Sequence, residues 1–121
     1  MKSNNLILVL TALTVERDAV VRHLSNIKLE THPEVGTDYH RGIFSHPSGD
    51  IDVVVARTDQ TNINAAMETE RALEFYNPSH AFFVGVAGGL KDVNVGDIVI
   101  GSDVIGYERG KSEKELFIFL K

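Results

Sequence analysis

The sequence predicts an α/β fold with three layers, in which a mostly parallel central sheet lies between flanking helices. Three largely apolar runs are typical of strands that are buried on both faces, as in a parallel sheet. A helical pattern follows each of the first two runs, and this alternation predicts crossover connections between parallel strands. The runs are residues Leu6 to Leu10, Ile51 to Ala56 and Ala81 to Val86.

The first helix follows the first strand directly. An apolar stripe at helical spacing predicts that this helix packs on the sheet and frays near residues 25–28. Thr14 is the expected N-cap, which places Glu16 in the first turn, where a carboxylate suits the helix dipole. The stripe consists of Leu13, Val20, Leu24 and Ile27.

The middle of the chain contains one turn-rich region and a second helix. Residues 29–50 are rich in Pro and Gly, and only Tyr39 to Ser45 suggests a strand there. The second helix is predicted from about Asn62 to Phe75, and Asn77-Pro78 ends it because the residue before proline avoids helical geometry. The side chains expected to face the core are Ile63, Ala66, Met67 and Leu73.

The last part of the chain differs in character from the rest. Val95 to Ile105 is strand-like, although glycines interrupt it. Residues 112–121 form an atypical tail that ends in the apolar run Leu116 to Leu120. Exposed apolar runs favour association, so we expect this run to pack against another surface or the chain to be part of a longer protein.

Composition excludes several classes of protein. The 121 residues carry a net charge of −5 without a Lys/Arg run, which argues against nucleic-acid binding. Cysteine is absent and the five histidines lack ligand spacing, so we expect neither a metal nor a cofactor. The apolar runs are much shorter than the ~20 residues of a membrane span, and the N-terminus lacks a secretory signal, so a cytoplasmic protein is expected.

Polar and glycine-rich segments follow each of the three strands. They are residues 11–17, 57–62 and 85–90. Because ligands of open parallel sheets bind beyond the carboxyl ends of the strands, these segments predict one crevice with polar edges.

Each feature of this crevice has two interpretations. Glu16 is either a general base toward water or a solvated first-turn glutamate that the helix dipole favours. The turn Gly85 to Gly89 either lets backbone amides approach a ligand or is only a tight turn. Arg57 lies past the second strand, where the neighbouring Asp59 and Asn62 more often serve turns and caps than ligands.

The segments in this order resemble the N-terminal half of the nucleoside phosphorylase superfamily. That family includes purine nucleoside and uridine phosphorylases and the methylthioadenosine/S-adenosylhomocysteine nucleosidases. The glycine turn followed by Val-Gly-Asp-Ile-Val is the most specific signal. The resemblance implies a single partial domain over residues 1–121, closest to a bacterial branch that is joined to effector or signalling modules. The matching stretches are residues 8–16, 57–66, 84–90 and 95–100.

The resemblance also implies an activity, the cleavage of the N-glycosidic bond of a purine nucleoside. Glu16 aligns with the glutamate that activates water in the nucleosidases. A nucleoside or nucleotide, with phosphate as a further candidate, is the implied ligand, and a homo-oligomer is the implied assembly. The residues that the resemblance places at the substrate are Ala12, Arg57, Val86, Ala87, Gly88 and Gly89.

Departures from the family pattern favour hydrolysis over phosphorolysis. Val86 stands where the family usually has Ser or Thr, and Phe83 stands where phosphorylases tend to have arginine. The family's ribose-binding Met-Glu pair and its purine-protonating aspartate belong to the C-terminal half. Two alternatives therefore stay open, a nucleoside-binding or signalling module without turnover, and a truncated gene fragment.

Overall fold

The computed structural model of the chain describes residues 5–59, 61–103, 110–113 and 116–119. The chain divides into two units, Met1–Ala87 and Gly88–Lys121. The first unit contains β1 (Leu6–Thr11), α1 (Thr14–Val21), β2 (Ser25–Thr31), β3 (Asp38–Phe44), β4 (Ile51–Arg57), α2 (Asn62–Tyr76) and β5 (His80–Phe83). The second unit contains the antiparallel pair β6 (Gly110–Glu113) and β7 (Leu116–Phe119).

A five-stranded mixed sheet in the order β2-β3-β4-β1-β5 forms the centre of the first unit. β1 pairs in parallel with β4 and β5, whereas β3 is antiparallel to both β2 and β4. Four of the five strands therefore run in one direction. This arrangement confirms the predicted α/β class with a mostly parallel sheet.

The two helices cover opposite faces of the sheet. Neighbouring residues of a strand point to opposite faces, and in β1 Leu8 and Val9 belong to different apolar clusters. Leu8 lies in the cluster that contains Ala72 of α2, while Val9 lies in the cluster against which Val20 of α1 packs. The predicted three layers are therefore present.

The first helix is shorter than predicted. It ends at Val21, and Ser25–Thr31 forms strand β2, which the sequence pattern did not reveal. Asn26 has φ 54°, a left-handed conformation that a right-handed helix does not contain. The predicted N-cap is also wrong, because Leu13 occupies that position in extended geometry and Thr14 is the first helical residue.

The second helix has the predicted bounds to within one residue, but a different buried face. Thr61 caps its start by accepting a hydrogen bond from the Asn64 N–H at 3.1 Å. Asn77 ends it in the left-handed conformation with φ 44°. Ala72 is the buried residue of this helix and Tyr76 packs on the core. The four side chains predicted to face the core are all exposed, namely Ile63, Ala66, Met67 and Leu73.

The third predicted strand is neither as long nor as buried as its composition suggested. β5 covers His80–Phe83, and all four of its residues are exposed. Among the described strands it pairs with β1 on one side only, and Phe82 and Phe83 are 52% and 56% exposed. An apolar run therefore does not guarantee that a strand is covered on both faces.

The predicted strand from Val95 to Ile105 is wrong over residues 95–103, which contain no strand, and residues 104–105 lie outside the described part of the chain. A strand needs a partner for its backbone groups, and Gly96 adopts φ 94° within a turn instead. Of the apolar tail, residues 116–119 form β7, and Leu120 lies outside the described residues.

No helix among the described residues is long and apolar enough to cross a membrane.

Candidate functional site

Glu16 lies in the first turn of α1, just past the carboxyl end of β1. Its Oε1 accepts hydrogen bonds from the backbone N–H groups of Ala12 at 3.2 Å and Leu13 at 3.0 Å. The bond from Leu13 satisfies a backbone donor at the helix start, as a glutamate at this position commonly does. The structural interpretation of Glu16 as a first-turn residue is therefore correct in part.

The second carboxylate oxygen of Glu16 reaches a distant part of the chain. Its Oε2 accepts a hydrogen bond from the backbone N–H of Val86 at 2.8 Å. Val86 is 89% exposed, and the contact uses its main-chain N–H. A valine in place of the family's Ser or Thr consequently leaves this hydrogen bond intact.

Among the described residues, the Glu16 carboxylate accepts hydrogen bonds from backbone amide groups alone. Within the described residues no salt bridge involves this carboxylate, and the neighbouring Arg17 is paired with Asp18 at 3.0 Å. Hydrogen bonds from N–H groups to a carboxylate are short and strong because the charge assists them. They orient the carboxylate but leave its net negative charge in place.

Arg57 lies at the end of β4 and reaches the same helix. Its Nη1 donates to Oγ1 of Thr14 at 3.2 Å and lies 3.5 Å from Oδ1 of Asp59. The Arg57 and Asp59 side chains are 43% and 59% exposed, so their pairing adds little stability. Asp59 has φ 65°, a left-handed conformation that Asp tolerates better than most residues.

Two threonines fix the ends of the central strands. The Thr58 N–H donates to the carbonyl of Thr11 at 2.7 Å, and both residues are fully buried. Among the described residues the Thr11 Oγ1 has no hydrogen-bond partner. Thr11 directly follows the first apolar run and Thr58 lies two residues after the second, and this position at the strand ends is the sequence signal that could have identified them.

The structure brings together part of the predicted set. Ala12, Glu16 and Val86 are joined by hydrogen bonds, and Arg57 reaches Thr14 of the same helix. Ala87 ends the first unit, whereas Gly88 and Gly89 belong to the second. The substrate contacts expected of these three residues stay predictions.

A second polar cluster lies on the α2 side of the sheet. Arg41 donates to both carboxylate oxygens of Asp52, at 3.0 and 2.5 Å, and to Oε1 of Glu30 at 3.4 Å. The Tyr76 hydroxyl also donates to Oε1 of Glu30, at 2.9 Å. Burial, followed by the hydrogen bond to Glu30, raises the pKa of Tyr76, and the hydrogen bond to Asp52 raises the pKa of Arg41.

β3 carries two buried polar atoms that lack hydrogen-bond partners in the described part of the chain. They are the Tyr39 hydroxyl and Nδ1 of His40. Burial raises the pKa of Tyr39. Burial, and then the positive charge of Arg17, lowers the pKa of His40. The described residues contain no group of three or more His, Cys, Asp and Glu that could hold a metal.

The fold agrees with the family to which the sequence belongs. The model of the phosphorylase superfamily matches residues 6–117, so the chain belongs to this superfamily. This result confirms the resemblance drawn from the glycine turn and the segment after it. The more specific bacterial branch stays a prediction.

Several curated relatives of this chain share one name with each other. The chain is 33% identical over 115 residues to the 5'-methylthioadenosine/S-adenosylhomocysteine nucleosidase of Chromohalobacter salexigens, covering 87% of this chain and 46% of the relative. It is 34% identical over 107 residues to the nucleosidase of that name from Hydrogenovibrio crunogenus, covering 79% of this chain and 44% of the relative. The chain therefore spans less than half of the length of these relatives.

Solved structures show the same fold. The nucleosidase of Colwellia psychrerythraea in complex with adenine matches with a TM-score of 0.66 and 23% identity, over 78% of this chain and 37% of the other. The nucleosidase of Neisseria meningitidis in complex with methylthio-immucillin-A matches with a TM-score of 0.64 and 22% identity, over 77% and 38%. At this identity the likeness concerns the fold alone.

Proposed function

We propose that this chain carries the nucleophile-activating part of a purine nucleosidase that hydrolyses the N-glycosidic bond of 5'-methylthioadenosine or S-adenosylhomocysteine. The substrate class comes from the names of the relatives, which share the superfamily and about one third of the matched residues. The observation that carries the proposal is the Glu16 carboxylate, which backbone amides orient from both sides.

Glu16 is the general base in the proposed reaction. A water oxygen forms a bond to C1′ of the ribose while the bond from C1′ to the base nitrogen breaks, and Glu16 takes the proton that the water releases. The departing base needs a proton from an acid. In the resembled family this acid belongs to the C-terminal half, so we propose that full turnover requires the rest of the phosphorylase domain.

Charge favours water over phosphate as the nucleophile. The Glu16 carboxylate has no cationic partner among the described residues, so it would repel a phosphate anion placed against it. Arg57, the neighbouring cation, already contacts Thr14 and Asp59. The absence of a hydroxyl at Val86 and of an arginine at Phe83 supports the same choice. Phosphate is therefore the less favoured co-substrate.

The remaining substrate contacts and the setting of the protein belong to the same proposal. Ala12 contributes its backbone N–H to Glu16, and Arg57, Val86 and Ala87 line the nucleoside. We place the protein in the cytoplasm as a homo-oligomer, in keeping with the family resemblance. Light scattering on the purified protein measures its oligomeric state, and a monomer at all concentrations would contradict this part.

A binding or signalling module without turnover is the second candidate. It is favoured by Val86, which lacks the hydroxyl that the family usually has at this position. Calorimetric titration with adenosine and 5'-methylthioadenosine separates the two functions. A module of this kind binds a nucleoside without releasing its base, and the absence of heat at any reachable concentration would exclude it.

The release of free base from 5'-methylthioadenosine, adenosine and inosine tests the enzymatic proposal. We expect the native protein, assayed together with the rest of the phosphorylase domain, to release adenine from 5'-methylthioadenosine, and the Glu16→Gln variant to be slower by about 10²- to 10⁴-fold, because a general base contributes rate factors of this size. Base release no faster than that of the Glu16→Gln variant would contradict the proposal.

A further inference from the structure

Gly85 lies directly against the carboxylate of Glu16. A Cβ atom built on Gly85 would be 2.9 Å from Oε2, 3.4 Å from Cδ and 3.6 Å from Oε1 of Glu16, and these are its three nearest neighbours. Separations below 3.0 Å essentially do not occur for real Cβ atoms. The Glu16 carboxylate therefore could not keep its observed position if residue 85 had a side chain.

We propose that Gly85 is a positioning residue for Glu16. Because Gly85 has no side chain, the carboxylate can lie against the main chain after β5 and accept the N–H of Val86 while it still caps α1. An alanine at position 85 would displace Oε2 from the Val86 N–H. The local capping bond from Leu13 would survive, because it spans only three residues within the first turn.

Backbone conformation does not explain the glycine. Gly85 is absent from the residues with positive φ, which include Gly36, Gly49 and Gly96. An alanine could therefore adopt the same backbone geometry without strain. The space that Glu16 occupies is then the physical reason for a glycine at this position.

The carboxylate is held from two directions, and this is the basis for a role of Gly85 in the reaction. The amides of Ala12 and Leu13 fix Oε1, and the amide of Val86 fixes Oε2. Misplacement of a reacting group by about 1 Å can cost about 10²-fold in rate. This consequence rests on the proposed function of Glu16, whereas the steric relation between Gly85 and Glu16 does not.

Nuclear magnetic resonance of the backbone amides tests the positioning directly. In the native protein the amide protons of Leu13 and Val86 should shift together as the Glu16 carboxylate is titrated, and the Glu16→Gln variant should lose both shifts. In Gly85→Ala the shift at Val86 should fall by more than half, while the shift at Leu13 persists. An undiminished shift at Val86 in Gly85→Ala would overturn the proposal.

Gly101→Ala is the matched control, because among the described residues a Cβ there would meet only the carbonyl oxygen of Asp103, at the ordinary distance of 3.8 Å. It should leave both amide shifts unchanged. If Gly85→Ala does not fold, the double variant with Glu16→Ala decides the question. Recovery of a folded protein once the carboxylate is removed supports the steric account, and failure of both variants overturns it.

Kinetics separate this inference from the proposed function. If base release is measurable, Gly85→Ala should lower kcat with KM little changed, and it should cost nothing further in the Glu16→Gln background. Additive losses in that background would contradict a role through Glu16. If the native protein releases no base but the amide shifts behave as expected, the proposed function fails and the positioning of Glu16 by Gly85 stands.

Discussion

Two glutamates of this chain form hydrogen bonds with very different partners. Glu30 accepts from the Arg41 guanidinium and from the Tyr76 hydroxyl, so side chains of β3 and α2 share its charge. Within the part of the chain that the structure describes, Glu16 accepts hydrogen bonds from backbone amides only, which orient it without neutralising it. We propose that these different partners separate a structural role of Glu30 from a chemical role of Glu16.

The largest effect on stability is expected from Arg41→Ala. Removal of the guanidinium leaves Asp52 and Glu30 without their cation, and the partial exposure of these groups limits the loss to about 2 kcal/mol. Denaturant unfolding measures the change. Arg57→Ala is the matched control, since its more exposed contact with Asp59 should contribute less than about 0.5 kcal/mol. Equal losses in the two variants would contradict the structural role of the Arg41 cluster.

A smaller effect is expected from Tyr76→Phe. This change removes the hydrogen bond to Glu30 and should lower the free energy of unfolding by about 1 kcal/mol. Tyr39→Phe removes a buried hydroxyl that has no hydrogen-bond partner in the described residues, so it should be neutral or slightly stabilising. A greater loss in Tyr39→Phe than in Tyr76→Phe would show that the hydrogen bonds of the two tyrosines are misassigned.

The smallest expected effect is the contribution of His40 protonation to the pH dependence of the free energy of unfolding. Its pKa in the folded protein is lowered by burial and by Arg17, against the opposite influence of Asp18 and Asp38. As the pH is lowered, the unfolded chain therefore binds a proton at His40 before the folded protein does. The contribution of neutral His40 to the free energy of unfolding is fully present above the unfolded pKa of about 6.5, and it is lost as the pH drops through the folded pKa. His40→Gln should weaken this fall between pH 7.5 and pH 5, as followed by thermal unfolding. An unchanged pH dependence would exclude His40 as its source.

Much of the central sheet was predictable because local composition decides it. The apolar runs of β1 and β4 form buried strands, and capping chemistry at Thr61 and Asn77 sets the bounds of α2. β2 was missed because Leu24 and Ile27 continue the helical spacing of α1. At residues 25–31 the left-handed conformation of Asn26 and the pairing with β3 produce a strand instead. Neither of these features can be predicted from the spacing of apolar residues.

The candidate site was predictable only in part. The position of Glu16 after the first strand and the family resemblance both indicated it. Its contact with Val86 was not predictable, because it joins residues 70 positions apart through a backbone amide that any residue except proline supplies. The space left by Gly85 is likewise a property of the folded chain. The exposure of Ile63 and Met67 depends on which face of α2 the sheet meets, which spacing alone does not determine.

The most direct test compares Glu16→Gln with Glu30→Gln in the same assay. Free adenine released from 5'-methylthioadenosine and the free energy of unfolding are measured for both variants and for the native protein. Glu16→Gln is expected to lower the rate by about 10²-fold or more at nearly native stability. Glu30→Gln should lower stability and leave the rate of the folded protein nearly unchanged. Equal rates for the two variants would contradict the assignment of Glu16 as the general base.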